Sequence, residues 1–147
     1  MTAPHRYVLG LDLGPPGEPT GFAVLEEPAA EGHSPEPTYN LRHLERFPPG
    51  ATDPAIVAAV AARACTPPLY RSPLVVDQTA VGKGVIDRLR RAQPPPWVVP
   101  VVIGAGQAVQ QDERGGWLVP KKELVTSLQL VLQARRLKVA PELPDAE

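Results

Sequence analysis

A chain of 147 residues with 43% hydrophobic and 21% charged positions has the length and balance for one domain with its own core. Its net charge of −1 and pI near 6.3 exclude a globally basic footprint, so nucleic-acid affinity has to come from a local patch or another domain. One cysteine, Cys65, excludes an internal disulfide, and no apolar run approaches the ~18 residues that a membrane-spanning helix needs.

The segment Met1 to Arg6 lacks the apolar core of a signal peptide, and the expectation is a cytoplasmic location. Tyr7 to Asp12 reads as a first strand, Leu13 to Thr20 as a Gly/Pro turn and Gly21 to Glu26 as a second strand, together a hairpin with a longer loop. Pro28 to Pro37 is a Pro-rich connection. Thr38 to Phe47 alternates as a half-exposed third strand, with Tyr39, Leu41 and Phe47 expected on one face. Most of the 20 prolines cluster in such connections, as stiffened loops rather than a low-complexity tract.

The pattern then changes. Thr52 or Asp53 can cap a helix with Pro54 in its first turn, and Ile56, Val57, Val60, Ala61 and Ala64 form its apolar stripe. Cys65 falls at its end as a packing residue, and Pro67-Pro68 stops it. Leu74 to Asp77 is a short apolar strand of the kind covered on both faces. Gly82 to Arg91 reads as a second helix with Val85, Ile86 and Leu89 inward. Trp97 to Ile103 is another apolar strand, and 104–116 a polar loop or hairpin. Pro120 to Arg135 is a third helix, with Leu124, Leu128, Val131 and Leu132 at helical spacing, and Leu137 to Ala140 a last short strand. The expected fold class is therefore α/β, in the order β-β-β-α-β-α-β-α. An antiparallel meander is followed by strands parallel to the first, and residues 1–147 form a single domain.

Two strands in this reading end on an aspartate. Asp12 closes Val8-Leu9-Gly10-Leu11-Asp12, and Asp77 closes Leu74-Val75-Val76-Asp77. An ionised carboxylate at the end of a buried strand is costly unless paired, hydrogen-bonded or bound to a cation. Either aspartate alone is better explained as a turn cap. Together, with the fourth strand expected beside the first, they form a candidate site for hard divalent cations such as Mg²⁺ or Mn²⁺. Two metals about 4 Å apart would polarise a phosphodiester and activate water. Three lysines are candidate DNA-phosphate contacts. Lys83 follows the Asp77 turn, and Lys121 and Lys122 open the third helix, against its dipole. Each also reads as an ordinary solvated charge. His5, His33 and His43 receive no role.

With these residues in view, the hairpin Gly10-Leu11-Asp12-Leu13-Gly14…Gly21-Phe22-Ala23-Val24-Leu25-Glu26 resembles the opening of ribonuclease H-like nucleases, Holliday-junction resolvases among them. Sugar kinases and actin-like ATPases open with a similar Asp-x-Gly turn. Three further stretches are similar to the nuclease domain of phage terminase large subunits. They are His43 to Phe47, Val75-Val76-Asp77-Gln78-Thr79-Ala80-Val81-Gly82-Lys83, and Val119 to Val125 followed by Ala134 to Ala140. The resemblance implies a ribonuclease H-like mixed sheet and Mg²⁺- or Mn²⁺-dependent endonucleolytic cleavage of double-stranded DNA, with Asp12 and Asp77 as catalytic metal ligands. It also implies a phage or prophage origin and a packaging ATPase as partner, since no motor sequence is present here. The family's third acidic ligand lies beyond the segment matching Leu137 to Pro144, and Asp145 and Glu147 are not at matching positions. A truncated or inactive DNA-binding remnant of the same fold is the alternative expectation. An actin-like ATP-binding domain ranks last, because no second phosphate loop is evident.

Overall fold

The structure is a computed structural model and describes residues 5–30, 32, 36–80 and 84–143. Its organising element is one mixed sheet. β1 (Arg6–Asp12), β2 (Thr20–Glu27) and β3 (Tyr39–Phe47) form the expected antiparallel meander. β4 (Pro73–Asp77) lies parallel to β1 on its other side, and β5 (Trp97–Gly104) lies parallel to β4. Beyond β5 come β7 (Trp117–Pro120), parallel to it, and the two-residue β6 (Gln110–Gln111). At the opposite edge β8 (Leu137–Val139) runs parallel to β3. Among the described residues the order is β6-β7-β5-β4-β1-β2-β3-β8.

One face of the sheet carries the core. Strand alternation sends Leu9 and Leu11, Phe22 and Val24, Leu74 and Val76 to the same side, where all six are buried. Helices α1 (Asp53–Ala64) and α2 (Gly84–Arg91) cover them. α1 begins where the sequence says it should. Thr52 is the N-cap, its hydroxyl accepting from Ala55 N–H at 3.3 Å, and Pro54 occupies the first turn. Ile56, Val57, Val60, Ala61 and Ala64 are the buried stripe of α1, and Val85, Ile86 and Leu89 that of α2.

Three features depart from the expected pattern. The 104–116 segment is resolved into β6 and a turn, and Trp117–Pro120 is a strand that the sequence reading did not contain, so the element order is longer than expected. Only four residues long and joined directly to a helix, β7 carries too little alternation to register. Second, a bulge at Arg42 shifts the β2–β3 register: Val24 pairs with His43, but Leu25 pairs with Leu41. Leu41 and Phe47 therefore lie on opposite faces, not on one. Third, α3 (Lys121–Gln133) buries none of its residues: Leu124, Val125, Leu128, Leu130 and Leu132 stay exposed. The helical spacing forms the helix without docking it on the sheet. The expected start of α2 at Gly82 falls outside the described residues. Cys65 is a half-buried free thiol at the C-cap of α1. No helix among the described residues is long and apolar enough to cross a membrane.

The Arg42 bulge has a consequence at the start of the hairpin. Glu26 occupies a core-face position of β2 yet is charged, with only 4% of its surface exposed. His5 Nδ1 lies 2.7 Å from its Oε1, Tyr7 donates to the same oxygen at 3.4 Å, and Asn40 donates to Oε2 at 3.1 Å. The bulged Arg42 reaches Oε2 with Nε at 3.1 Å. Burial pushes the carboxyl upward, but the bonds from Asn40 and His5 and the charges of Arg42 and His5 outweigh it and hold Glu26 below the usual range. A lowered carboxylate stabilises the fold above the unfolded-state pKa of about 4.3, and that stability is lost as pH falls through the folded value. Glu26→Gln should cost on the order of 2 kcal/mol at pH 7, with its difference from wild type closing in acid. Urea unfolding at pH 7 and pH 3 measures both.

Candidate functional site

The β1–β4 pairing decides where the two strand-end aspartates go. The ladder runs Leu9 to Leu74, Gly10 to Val75, Leu11 to Val76 and Asp12 to Asp77, so the carboxylates stand directly beside one another on parallel strands. Adjacent strands are about 4.8 Å apart, close enough for one cation to touch both side chains. Because Leu11 and Val76 point into the core, Asp12 and Asp77 point to the opposite face, away from α1 and α2.

The turn after each aspartate is pinned by a threonine. Gly14 N–H donates to Thr20 Oγ1 at 3.2 Å, and a Cβ on Gly14 would sit 2.2 Å from the Pro19 carbonyl oxygen, so only glycine fits. On the β4 side, Thr79 donates to Asp77 Oδ1 from its backbone N–H at 2.9 Å and also from its hydroxyl. The Ile103 N–H of β5 in turn donates to Thr79 Oγ1 at 2.8 Å. Thr79 has no role among the sequence-based expectations. The Asp-x-Thr spacing, which favours a side-chain turn of this kind, was the signal available.

Asp12 is pushed above the usual carboxylate range, first by partial burial, then by the charge of Asp77 and by a hydrogen bond shared with it. Every one of these causes acts in the same direction. Among the described residues no cation offsets them, in contrast to Glu26. The pair is thus a like-charge site that a hard cation would relieve, and its oxygen-only donors suit Mg²⁺ or Mn²⁺. Mg²⁺ commonly takes one or two carboxylates and fills its other positions with water and substrate phosphate. Among the described residues no group of three or more His, Cys, Asp or Glu could hold a metal.

The lysines separate. Lys83 lies outside the described residues, as do His33, Asp145 and Glu147. Lys121 and Lys122 open α3 directly after β7, whose Pro120 pairs with Gly104 at the end of β5. They therefore lie at the same end of the parallel strands as Asp77, two strands away and past the end of β7, whose Trp117 is the residue level with Asp77 through Val101. Lys122 is partly engaged, donating from Nζ to Gln107 Oε1 at 2.9 Å across the loop that follows β5. Pro120 supplies no side-chain cap, so the first amides of α3 open toward that edge beside Lys121. His5 and His43 serve the fold: His5 bonds to Glu26, and His43 packs edge-on to Phe22 at 5.8 Å.

No family model matches the chain, and no curated protein does. Among solved structures, a human cytomegalovirus terminase nuclease domain, Mn soaked, is similar at 16% identity and a TM-score of 0.48, covering 93% of this chain. The chain spans 66% of the length of that domain, and at this score and identity the likeness assigns nothing to its residues.

The raised Asp12 carries a stability prediction with a definite sign. A carboxyl whose folded pKa exceeds its unfolded value of about 3.9 favours the fold fully below that value and loses this contribution as pH rises through the folded one. Without added metal, Asp12→Asn should therefore be more stable than wild type at pH 7 and equal to it near pH 3. Urea midpoints of the two proteins across that range test it, and a variant less stable at pH 7 would contradict the like-charge pair.

Proposed function

We propose that the chain is a ribonuclease H-like, divalent-metal-dependent endonuclease domain of the terminase type, acting on double-stranded DNA. The observation that carries this reading is the register that sets Asp12 beside Asp77 at the ends of two parallel strands. The motif resemblance of the flanking segments supports it, as does the meander-then-parallel strand order.

Asp12 and Asp77 would hold Mg²⁺ or Mn²⁺, and the bound metal would supply a polarised phosphodiester and an activated water. The chain's own contribution is positional. The β1–β4 ladder fixes the separation of the two carboxylates, and the Thr79 contacts fix the turn beneath Asp77. Lys121 and the opening turn of α3 offer positive charge and free amides to a phosphate approaching the same edge. With a net charge of −1, such local contacts have to carry the attraction for DNA. A packaging ATPase is the matching partner, and a phage or prophage setting in the bacterial cytoplasm follows from that assignment.

Wild-type protein with Mn²⁺ should convert supercoiled plasmid to nicked and linear forms. Asp12→Asn and Asp77→Asn should each lose at least about 100-fold, the upper end of what disturbing a metal's outer shell costs. Equal cutting by wild type and both variants would remove the site assignment.

One observation favours a second reading, a DNA-binding or assembly module that keeps the fold without the chemistry. The described residues offer two acidic ligands and no third. Calorimetric titration separates the two: heat of Mn²⁺ binding at micromolar to millimolar metal favours the enzyme, and none, with cooperative unfolding intact, favours the module.

A further inference from the structure

We infer that Thr79 is a positioning residue, whose hydroxyl sets the Asp77 carboxylate for a divalent cation. The inference deepens the metal-site reading above and rests on it. β4 ends at Asp77, which pairs with Val101, and Gln78 N–H makes one more ladder bond to the Val101 carbonyl at 3.0 Å. The next inward-facing donor of β5 is Ile103 N–H, which has no strand beside it to receive it. The Thr79 side chain takes the place of that missing strand, accepting from Ile103 at 2.8 Å.

This contact determines where the hydroxyl proton goes. With a lone pair committed to Ile103, the O–H is directed to Asp77 Oδ1, the oxygen that also accepts the Thr79 backbone N–H at 2.9 Å. One carboxylate oxygen is thereby tied down by two donors of one residue. The side chain can no longer rotate freely, and Oδ2 receives no amide or hydroxyl donor among the described residues. That leaves Oδ2 available to a cation at the pair. A cation at the pair would find Asp77 already oriented, with the rotational entropy of that carboxylate lost during folding and not during binding.

A merely structural Thr79, closing the sheet edge for Ile103, predicts lost stability and unchanged metal affinity. A positioning Thr79 predicts a change in affinity. Thr79→Val keeps the shape and backbone N–H but removes the hydroxyl, Thr79→Ala removes it without added methyls, and Thr79→Ser keeps it. Calorimetric Mn²⁺ titration of the full chain should show binding weakened about 10- to 100-fold in Thr79→Val and Thr79→Ala, and restored in Thr79→Ser. Thermal unfolding of each variant confirms that the compared proteins are folded. Wild-type Mn²⁺ affinity in a folded Thr79→Val or Thr79→Ala overturns the inference while leaving the metal site standing. Failure of wild type to take up Mn²⁺ overturns the metal reading itself, and this inference with it.

Discussion

The rest of the molecule hangs on the parallel pairing of β1 with β4. In that ladder the side chains alternate between two faces, and the core claims every second one: Leu9, Leu11, Leu74 and Val76 are each 1% exposed or less. Full burial of such residues is worth about 1.5–3 kcal/mol apiece, far more than a partly solvated pair of like charges can oppose. The neighbouring positions are then fixed. If Leu11 and Val76 face the helices, Asp12 and Asp77 face away from them and toward each other. A slip of one residue in either strand would move leucines into water and carboxylates into the core, so the hydrophobic pattern guards the register of the site.

The two ends of the β1–β2 hairpin treat acidic side chains in opposite ways. At one end Glu26 is surrounded by His5, Tyr7, Asn40 and Arg42, and its charge is supported from all sides. At the other, Asp12 meets Asp77, and among the described residues the donors bound to the pair are those of Thr79 on Asp77. A fold that satisfies one carboxylate with four partners has the means to satisfy another. Asp12 and Asp77 instead stand side by side with their like charges unrelieved by a cation among the described residues, which is the electrostatic ground for the proposed cation site.

Much of this was legible in the sequence, and for identifiable reasons. Thr52, Pro54 and the stripe Ile56, Val57, Val60, Ala61 and Ala64 are local signals, and α1 obeys them residue by residue. The adjacency of Asp12 and Asp77, 65 positions apart, followed from a topological rule: a crossover after a meander returns beside the first strand. What escaped depends on long-range partners. The Arg42 bulge is invisible without β2 beside it, and hence so is the Glu26 cluster. The role of Thr79 requires Ile103, 24 residues away, to complete its hydrogen bonds. For α3 the periodicity of Leu124, Leu128 and Leu132 predicts a helix correctly but says nothing about what, if anything, covers it.

The placement of charge along the C-terminal edge constrains any reaction there. Two facing carboxylates repel a phosphodiester, and Lys121 stands two strands to the side and past the end of β7, on a chain whose net charge is −1. A phosphate at this edge would be attracted by Lys121 and the opening turn of α3, at a point displaced from the aspartates. Only a cation held between Asp12 and Asp77 reverses the local sign and makes the carboxylate pair itself attractive to the backbone. In the proposed reading, affinity for DNA at this edge and occupancy by metal would therefore be coupled by electrostatics. The same two residues that would repel a phosphodiester in metal-free protein would become, with metal bound, the point on which it converges.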